Sequence, residues 1–136
     1  MSEGYALVER VPTITEYCDL RRLAGMGQRT PEAAARGLPG GLYAVVIEHD
    51  GKAVGMGRVT GDGGTAYTIV DIAVLPEHQR RGLGNRIVGA IMDWLRKTAP
   101  KSAYVCLIAD GPAADLYARH GFRPTAPVSI GMGLTI

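Results

Sequence analysis

The sequence predicts an α/β domain built on a mixed sheet, and three observations carry that prediction. Two strand-like runs, Leu42–Glu48 and Ala53–Thr60, flank the tight turn His49-Asp50-Gly51-Lys52, whose Asp-Gly pair supplies the positive φ angles of a two-residue hairpin. Thr65–Leu75 (TAYTIVDIAVL) has a nearly continuous apolar centre, as a strand covered on both faces requires. An amphipathic helix then leads to the short apolar run Ala103–Ala109, and a strand–helix–strand crossover makes parallel neighbours.

The remaining elements follow from local chemistry. Residues 4–11 alternate loosely and read as a first strand, which Pro12 stops. Thr13 or Thr15 can cap a helix that runs to about Leu23, where Gly25-Met26-Gly27 breaks it. Thr30-Pro31-Glu32 places an N-cap before a proline at the first helical position, opening a short alanine-rich helix that ends near Gly37. Gly55 and Gly57 inside the second hairpin strand suggest a bulge or a close backbone approach. From Gly82 to about Thr98, Leu83, Ile87, Val88, Ile91 and Leu95 fall on one helical stripe. Asp110-Gly111-Pro112 starts a last helix that runs to His120 and stops at Gly121, and Val128–Ile136 reads as a final strand broken by glycines. No repeat, low-complexity tract or linker interrupts this order, so residues 1–136 read as a single domain.

Composition narrows the function. With 136 residues and 46% apolar residues, the chain can bury a core without staples. No apolar run approaches the roughly 20 residues a bilayer needs. The start, MSEGYALVER, lacks the basic flank and apolar stretch of a signal peptide, so a cytoplasmic protein is expected. A formal charge of +2 argues against a nucleic-acid binder, while leaving room for a basic pocket that takes one polyanionic ligand. Cys18 and Cys106 have no CxxC and no histidine at ligand spacing; they read as apolar thiols, and no metal site is visible.

The chemistry concentrates at Gln79-Arg80-Arg81-Gly82-Leu83-Gly84, between a buried strand and the start of the strongest helix. A helix start offers unpaired N–H groups and a positive dipole end, and consecutive N–H groups in such a turn form a nest for phosphate oxygens. Gly82 lets a ligand approach the backbone, Gly84 lets the helix pack closely, and Arg80 and Arg81 add forked positive charge. No GxxxxGK[ST] is present, and no opening βαβ unit carries GxGxxG, so P-loop and dinucleotide folds fit worse.

These pieces together resemble the GNAT acetyltransferase superfamily. IVDIAVLP followed by QRRGLG resembles its acetyl-CoA signature, a strand plus (Q/R)xxGx(G/A). YVCLIAD followed by GPAADLYARHGF resembles the next region, where a helix carries a tyrosine just before a GF ending. The resemblance is clear over residues 42–136 and rests on element order over 4–41. It implies the acyl-CoA N-acyltransferase fold: a mixed, mostly antiparallel sheet with flanking helices and a splayed central strand pair. It further implies an N-acetyltransferase that moves the acetyl group of acetyl-CoA to a primary amine by direct attack in a ternary complex, with no metal. Ile72, Ala73 and Val74 would line the pantetheine arm through backbone bonds, and the amides of Gln79, Arg80, Arg81, Gly82, Leu83 and Gly84, with Asn85 beside them, would hold the diphosphate. Tyr117 would protonate the departing CoA sulfur. Asp110 stands where many relatives have asparagine, and would either accept from the pantetheine amide or cap the helix. A homodimer, its last strand paired across a two-fold axis, is also consistent with the resemblance.

A lysine-like amine has a pKa near 10.4, so the attacking nitrogen needs a base or a proton-carrying water chain. Asp71, Glu48, His49 and His78 are the residue candidates. Asp71 points opposite to Val70 and Ile72 in a regular strand and also reads as a buried structural acid held by a neighbouring loop. Tyr43, Tyr67, Arg22, Arg29, Met26 and Met132 are candidate linings for the acceptor. The absence of an acidic cluster favours a small amine or amino-acid-like acceptor over a polyamine. Protein lysines or N-termini, a non-catalytic acyl-CoA sensor, and a module for another phosphate ligand are the alternatives.

Overall fold

The computed structural model describes residues 4–136. Its sheet has five strands in chain order, β1 (Tyr5–Val8), β2 (Tyr43–His49), β3 (Lys52–Gly61), β4 (Ala66–Val74) and β5 (Tyr104–Cys106). All neighbours are antiparallel except β4 and β5, which run parallel. The helices are α1 (Ile14–Leu23), α2 (Pro31–Gly37), α3 (Leu83–Thr98) and α4 (Ala113–Ala118). The α/β class and mixed sheet expected from the sequence are both present.

Local signals decide most boundaries. Thr13 is the α1 cap: its side chain accepts from the Glu16 amide at 3.1 Å, and the Glu16 carboxylate accepts from the Thr13 amide at 2.8 Å. Thr30 caps α2 through the Ala33 amide, with Pro31 at the first helical position. Asp50 and Gly51, with φ of 51° and 75°, make the hairpin turn between β2 and β3.

Two cores cover the two faces of the sheet. Leu83, Ile87, Ile91 and Leu95 of α3 pack with Val45, Ile47, Val59, Tyr67 and Ile69. Tyr17 and Leu20 of α1 and Ala34 of α2 pack with Met56 and Ala73 on the other face. Gly57 lies beneath α3: a Cβ there would stand 2.5 Å from Ile87 Cγ2 and 2.7 Å from Ile72 Cδ1. The close approach expected at this glycine is therefore a helix seated on the strand.

A bulge re-aims β4. Met56 pairs with Ala73 and Arg58 with Val70, so the single residue Gly57 faces both Asp71 and Ile72. Asp71 takes the left-handed conformation, φ 59°, which aspartate tolerates better than most residues. Before the bulge, Tyr67 and Ile69 face the α3 core; after it, Ala73 faces the α1–α2 core and Ile72 and Val74 pack toward α3. Without the extra residue, strict alternation would send Asp71 into the apolar layer under α3.

Four elements fall short of what the sequence suggests, and the first is β1, which ends at Val8 rather than at residue 11. β5 ends at Cys106, because its pairing with β4 stops at Thr68–Cys106 while β4 runs on to Val74. This divergence is the expected splay, and it costs residues 107–109 their ladder bonds. α4 ends at Ala118 rather than His120. Residues 128–136 form no strand: Val128, Ile130, Met132, Leu134 and Ile136 keep a two-residue apolar alternation but are all exposed. With β5 diverging and Gly131 and Gly133 weakening the run, no edge among the described residues completes it.

Candidate active site

The splay opens a cavity of about 710 Å³ between β4, the start of α3 and α4. Ile72 and Val74 supply the β4 wall; His78, Gln79, Arg80, Gly82, Leu83 and Gly84 supply the loop and helix start; Asp110, Pro112, Ala113, Leu116 and Tyr117 supply the opposite side. Ala24, at the end of α1, closes one corner.

The loop is built to present amides. Arg80 and Gly82 take φ of 62° and 78°, and Gly82 caps α3 without any side chain folding over the helix end. Arg86 is the first amide to bond back, to the Gly82 carbonyl at 3.1 Å. The preceding helical amides are left for a ligand, as at any uncapped helix start. Gln79 Nε2 donates to the Val74 carbonyl at 3.0 Å, fastening the loop to the end of β4. A Cβ on Gly82 would meet nothing within 4 Å, so the space it fronts is open. Gly84 is the close-packing glycine, 3.3 Å from Leu116 Cδ2 when a Cβ is built on it.

Tyr117 is buried, its ring edge-on to Phe122. Its hydroxyl has no hydrogen-bond partner among the described residues. Burial, reinforced by the nearby charge of Asp110, pushes its pKa above the ordinary tyrosine value, so the group remains a proton donor through the physiological range.

Three residues expected at the cofactor do not line this cavity. Ala73 faces the opposite core, as the bulge dictates. Arg81 is exposed outside the lining. Asn85 Oδ1 lies 2.8 Å from His120 Nε2 and ties α3 to the end of α4. Conversely, Leu116, Pro112, Ala113 and Ala24 line the space although nothing in their residue types announces it.

The candidate bases are mostly engaged. Asp71 Oδ1 accepts from Arg21 Nη1 at 2.5 Å, and Oδ2 accepts from Arg58 Nε at 2.8 Å and from the Tyr17 hydroxyl at 3.1 Å. Asp71 is thus a buried structural acid, held by α1 and β3 rather than by a loop. Glu48 accepts two bonds from Arg10, which also holds Glu16. His49 stacks on Tyr5, and His78 Nδ1 lies 2.7 Å from the Tyr5 hydroxyl. Among the proposed acceptor linings, Tyr43 stacks on Trp94 and Tyr67 meets the same ring edge-on, which puts both in the α3 core. Arg22 pairs with Asp19, Met26 packs on the α1–α2 core, and Met132 is exposed. Arg29 lines a second cavity, of about 210 Å³, with Tyr17 and Arg58. Cys18 and Cys106 are free thiols, both partly buried.

Two expected outcomes follow. Asp71→Asn leaves Arg21 and Arg58 without their counter-charge and is expected to cost about 3–5 kcal/mol, measured by urea denaturation; a loss below 1 kcal/mol contradicts the role assigned to this cluster. Burial raises the pKa of Tyr17, Tyr43 and Tyr117 in the folded state above the ordinary tyrosine value of about 10. Their contribution is fully present below pH 10 and is lost as pH rises beyond it, because the unfolded chain ionises first. Thermal midpoints should therefore hold between pH 8 and 9.5 and fall steeply by pH 11.

Among the described residues, no helix is long and apolar enough to cross a membrane, and no group of His, Cys, Asp and Glu could hold a metal ion. A family model for the acetyltransferase (GNAT) domain matches residues 40–124. A Staphylococcus aureus protein described as a probable acetyltransferase is 45% identical, with a TM-score of 0.94 over 97% of this chain and 99% of its own. A GNAT-family acetyltransferase from Streptococcus pneumoniae shares the fold at 20% identity, with a TM-score of 0.76 over 97% of both chains. N-acetylglutamate synthase from Neisseria gonorrhoeae, solved with coenzyme A and L-arginine, shares it at 19% identity and a TM-score of 0.70 over 95% of this chain and 30% of its own. No curated protein matches the sequence significantly.

Proposed function

The chain belongs to the GNAT acetyltransferase family, and from that premise we propose that it works as one catalytic domain that transfers the acetyl group of acetyl-CoA to the primary amine of a small acceptor. The observation that carries the reading is the cavity itself: the uncapped α3 start, the free β4 edge and an unpartnered, protonated Tyr117 share one lining. In this reading the diphosphate lies on the amides from Gln79 to Gly84, with Arg80 at its flank. The pantetheine arm runs along Ile72 and Val74, where β4 has no β5 partner. Asp110, on the same wall, is an acceptor for the pantetheine amide.

The neutral amine attacks the thioester carbonyl to give a tetrahedral intermediate, whose oxyanion takes a hydrogen bond from a backbone N–H of the splayed strand near Val74. Collapse breaks the carbon–sulfur bond. Tyr117 gives its proton to the sulfur, which leaves as the thiol. The amine's proton leaves through water, since Asp71 and Glu48 are both held by arginines.

A thiol-release assay against amines, amino acids and peptides tests this. Acetyl-CoA-dependent turnover on a small amine is the expected result. Turnover confined to peptides would favour a protein acetyltransferase, and CoA binding without any turnover would favour a sensor. The exposed apolar alternation from Val128 to Ile136 supports a homodimer in which this segment pairs with its two-fold copy.

A further inference from the structure

The second cavity lies on the α1–α2 side of the sheet and is lined by Tyr17, Arg29, Ala33, Ala34, Gly37, Leu38 and Arg58. Arg58 has only 8% of its surface exposed, although it carries a charge in the middle of β3. Its Nε is spent on Asp71, while its buried Nη1 has no hydrogen-bond partner among the described residues. A buried guanidinium N–H without an acceptor is costly, and such groups are normally satisfied. The charge count points the same way: Arg21 and Arg58 share one carboxylate, Asp71, while Arg29 lines the cavity beside Arg58 and the lining holds no acid. Arg29 Nη1 and Arg21 Nη2 both come within 3.7 Å of the Cβ position of Gly27, so Arg29 lies beside Arg21 as well as in the cavity that Arg58 lines.

This cavity adjoins the reaction site through one residue. Asp71 turns toward Arg58 at the bulge, and the next residue, Ile72, lines the larger cavity. A group held by Arg58 therefore lies across the bulge from the wall assigned to the thioester arm. The space, about 210 Å³, suits a compact planar anion with a short chain behind it. A guanidinium fork matches a carboxylate in shape and charge, whereas a polyamine or lysine ammonium would be repelled.

We propose that Arg58 and Arg29 form a carboxylate subsite, so that the acceptor is a small amino acid or amino carboxylate whose acid group docks here while its amine reaches the thioester. The proposal rests on the acetyltransferase reading above for its purpose, but the subsite can be tested without turnover. Protein labelled with 15N-arginine is titrated with sodium acetate, inorganic phosphate and methylammonium chloride at constant ionic strength, free and with CoA bound. Saturable acetate-induced shifts of the Arg58 and Arg29 Nε signals are expected, with no response to methylammonium. Arg29→Gln, at an exposed position, should weaken acetate binding roughly tenfold. In the thiol-release assay, amino acids should show lower KM than their decarboxylated amines, and Arg29→Gln should erase that difference by raising KM rather than lowering kcat.

Unsaturable acetate shifts, or equal binding of phosphate, would overturn the carboxylate assignment, as would an unchanged amino-acid preference in Arg29→Gln. If turnover on plain amines persists while acetate fails to bind, the subsite alone is wrong. If CoA fails to bind while acetate does, the transfer reading falls and the anion site stands.

Discussion

Gly82→Glu is expected to lower acetyl-CoA affinity at least about 100-fold, read by calorimetry or equilibrium dialysis. Two costs add. The residue sits at φ 78°, so a side chain lets the unliganded loop relax away from its binding shape, which costs about 1 kcal/mol to restore. The new carboxylate also projects into the open space in front of the α3 start, against the diphosphate. Like charges about 4 Å apart repel by about 4 kcal/mol at an effective dielectric of 20. Gly82→Ala separates the terms: it carries the backbone cost without the charge, and its loss should be near tenfold. Both variants should keep the wild-type fold, since a Cβ there meets nothing within 4 Å. Wild-type affinity in Gly82→Glu would show that the cofactor's phosphates lie elsewhere.

Tyr117→Phe is expected to lower kcat by about two orders of magnitude or more while acetyl-CoA affinity stays within a factor of about three. The phenyl ring keeps the packing against Phe122, and the hydroxyl has no protein partner to lose, so stability should be unchanged. The loss comes from expelling a thiolate rather than a thiol. An acceptor-independent control sharpens the result: an acyl donor with a better leaving group should rescue much of the deficit. An unchanged kcat would mean that another group, or water, protonates the sulfur.

The fold was legible wherever short-range chemistry decides it. Thr13, Thr30 and Pro31 announce helix starts, Asp50-Gly51 announces the hairpin, and the α3 stripe from Leu83 to Leu95 announces a buried face. The cavity-lining set was legible in part, because a loop of arginines and glycines before a helix has few other uses. The bulge was legible at Gly57 as one of two options, but not that its extra residue would be Asp71 on β4, which takes a left-handed backbone opposite Gly57 and meets Arg21 and Arg58. That the Ala73 side chain packs with the α1–α2 core was hidden for the same reason: alternation cannot reveal an inserted residue. Val128–Ile136 carries a strand's alternation, yet strand formation also needs an edge to pair with, which no local pattern encodes. Arg58 gave one usable signal, a lone charge inside the apolar run Val54–Val59, and its importance emerges only when Asp71 is seen beside it.

The most direct test of the central claim is a titration of 15N-labelled protein with acetyl-CoA, followed through backbone amide resonances. The amides of Gly82, Leu83 and Gly84 should shift together and saturate in step with Ile72 and Val74, while ATP and NAD leave them in place. Acetyl-CoA binding that moves none of these amides, or an equal response to ATP, would contradict the account.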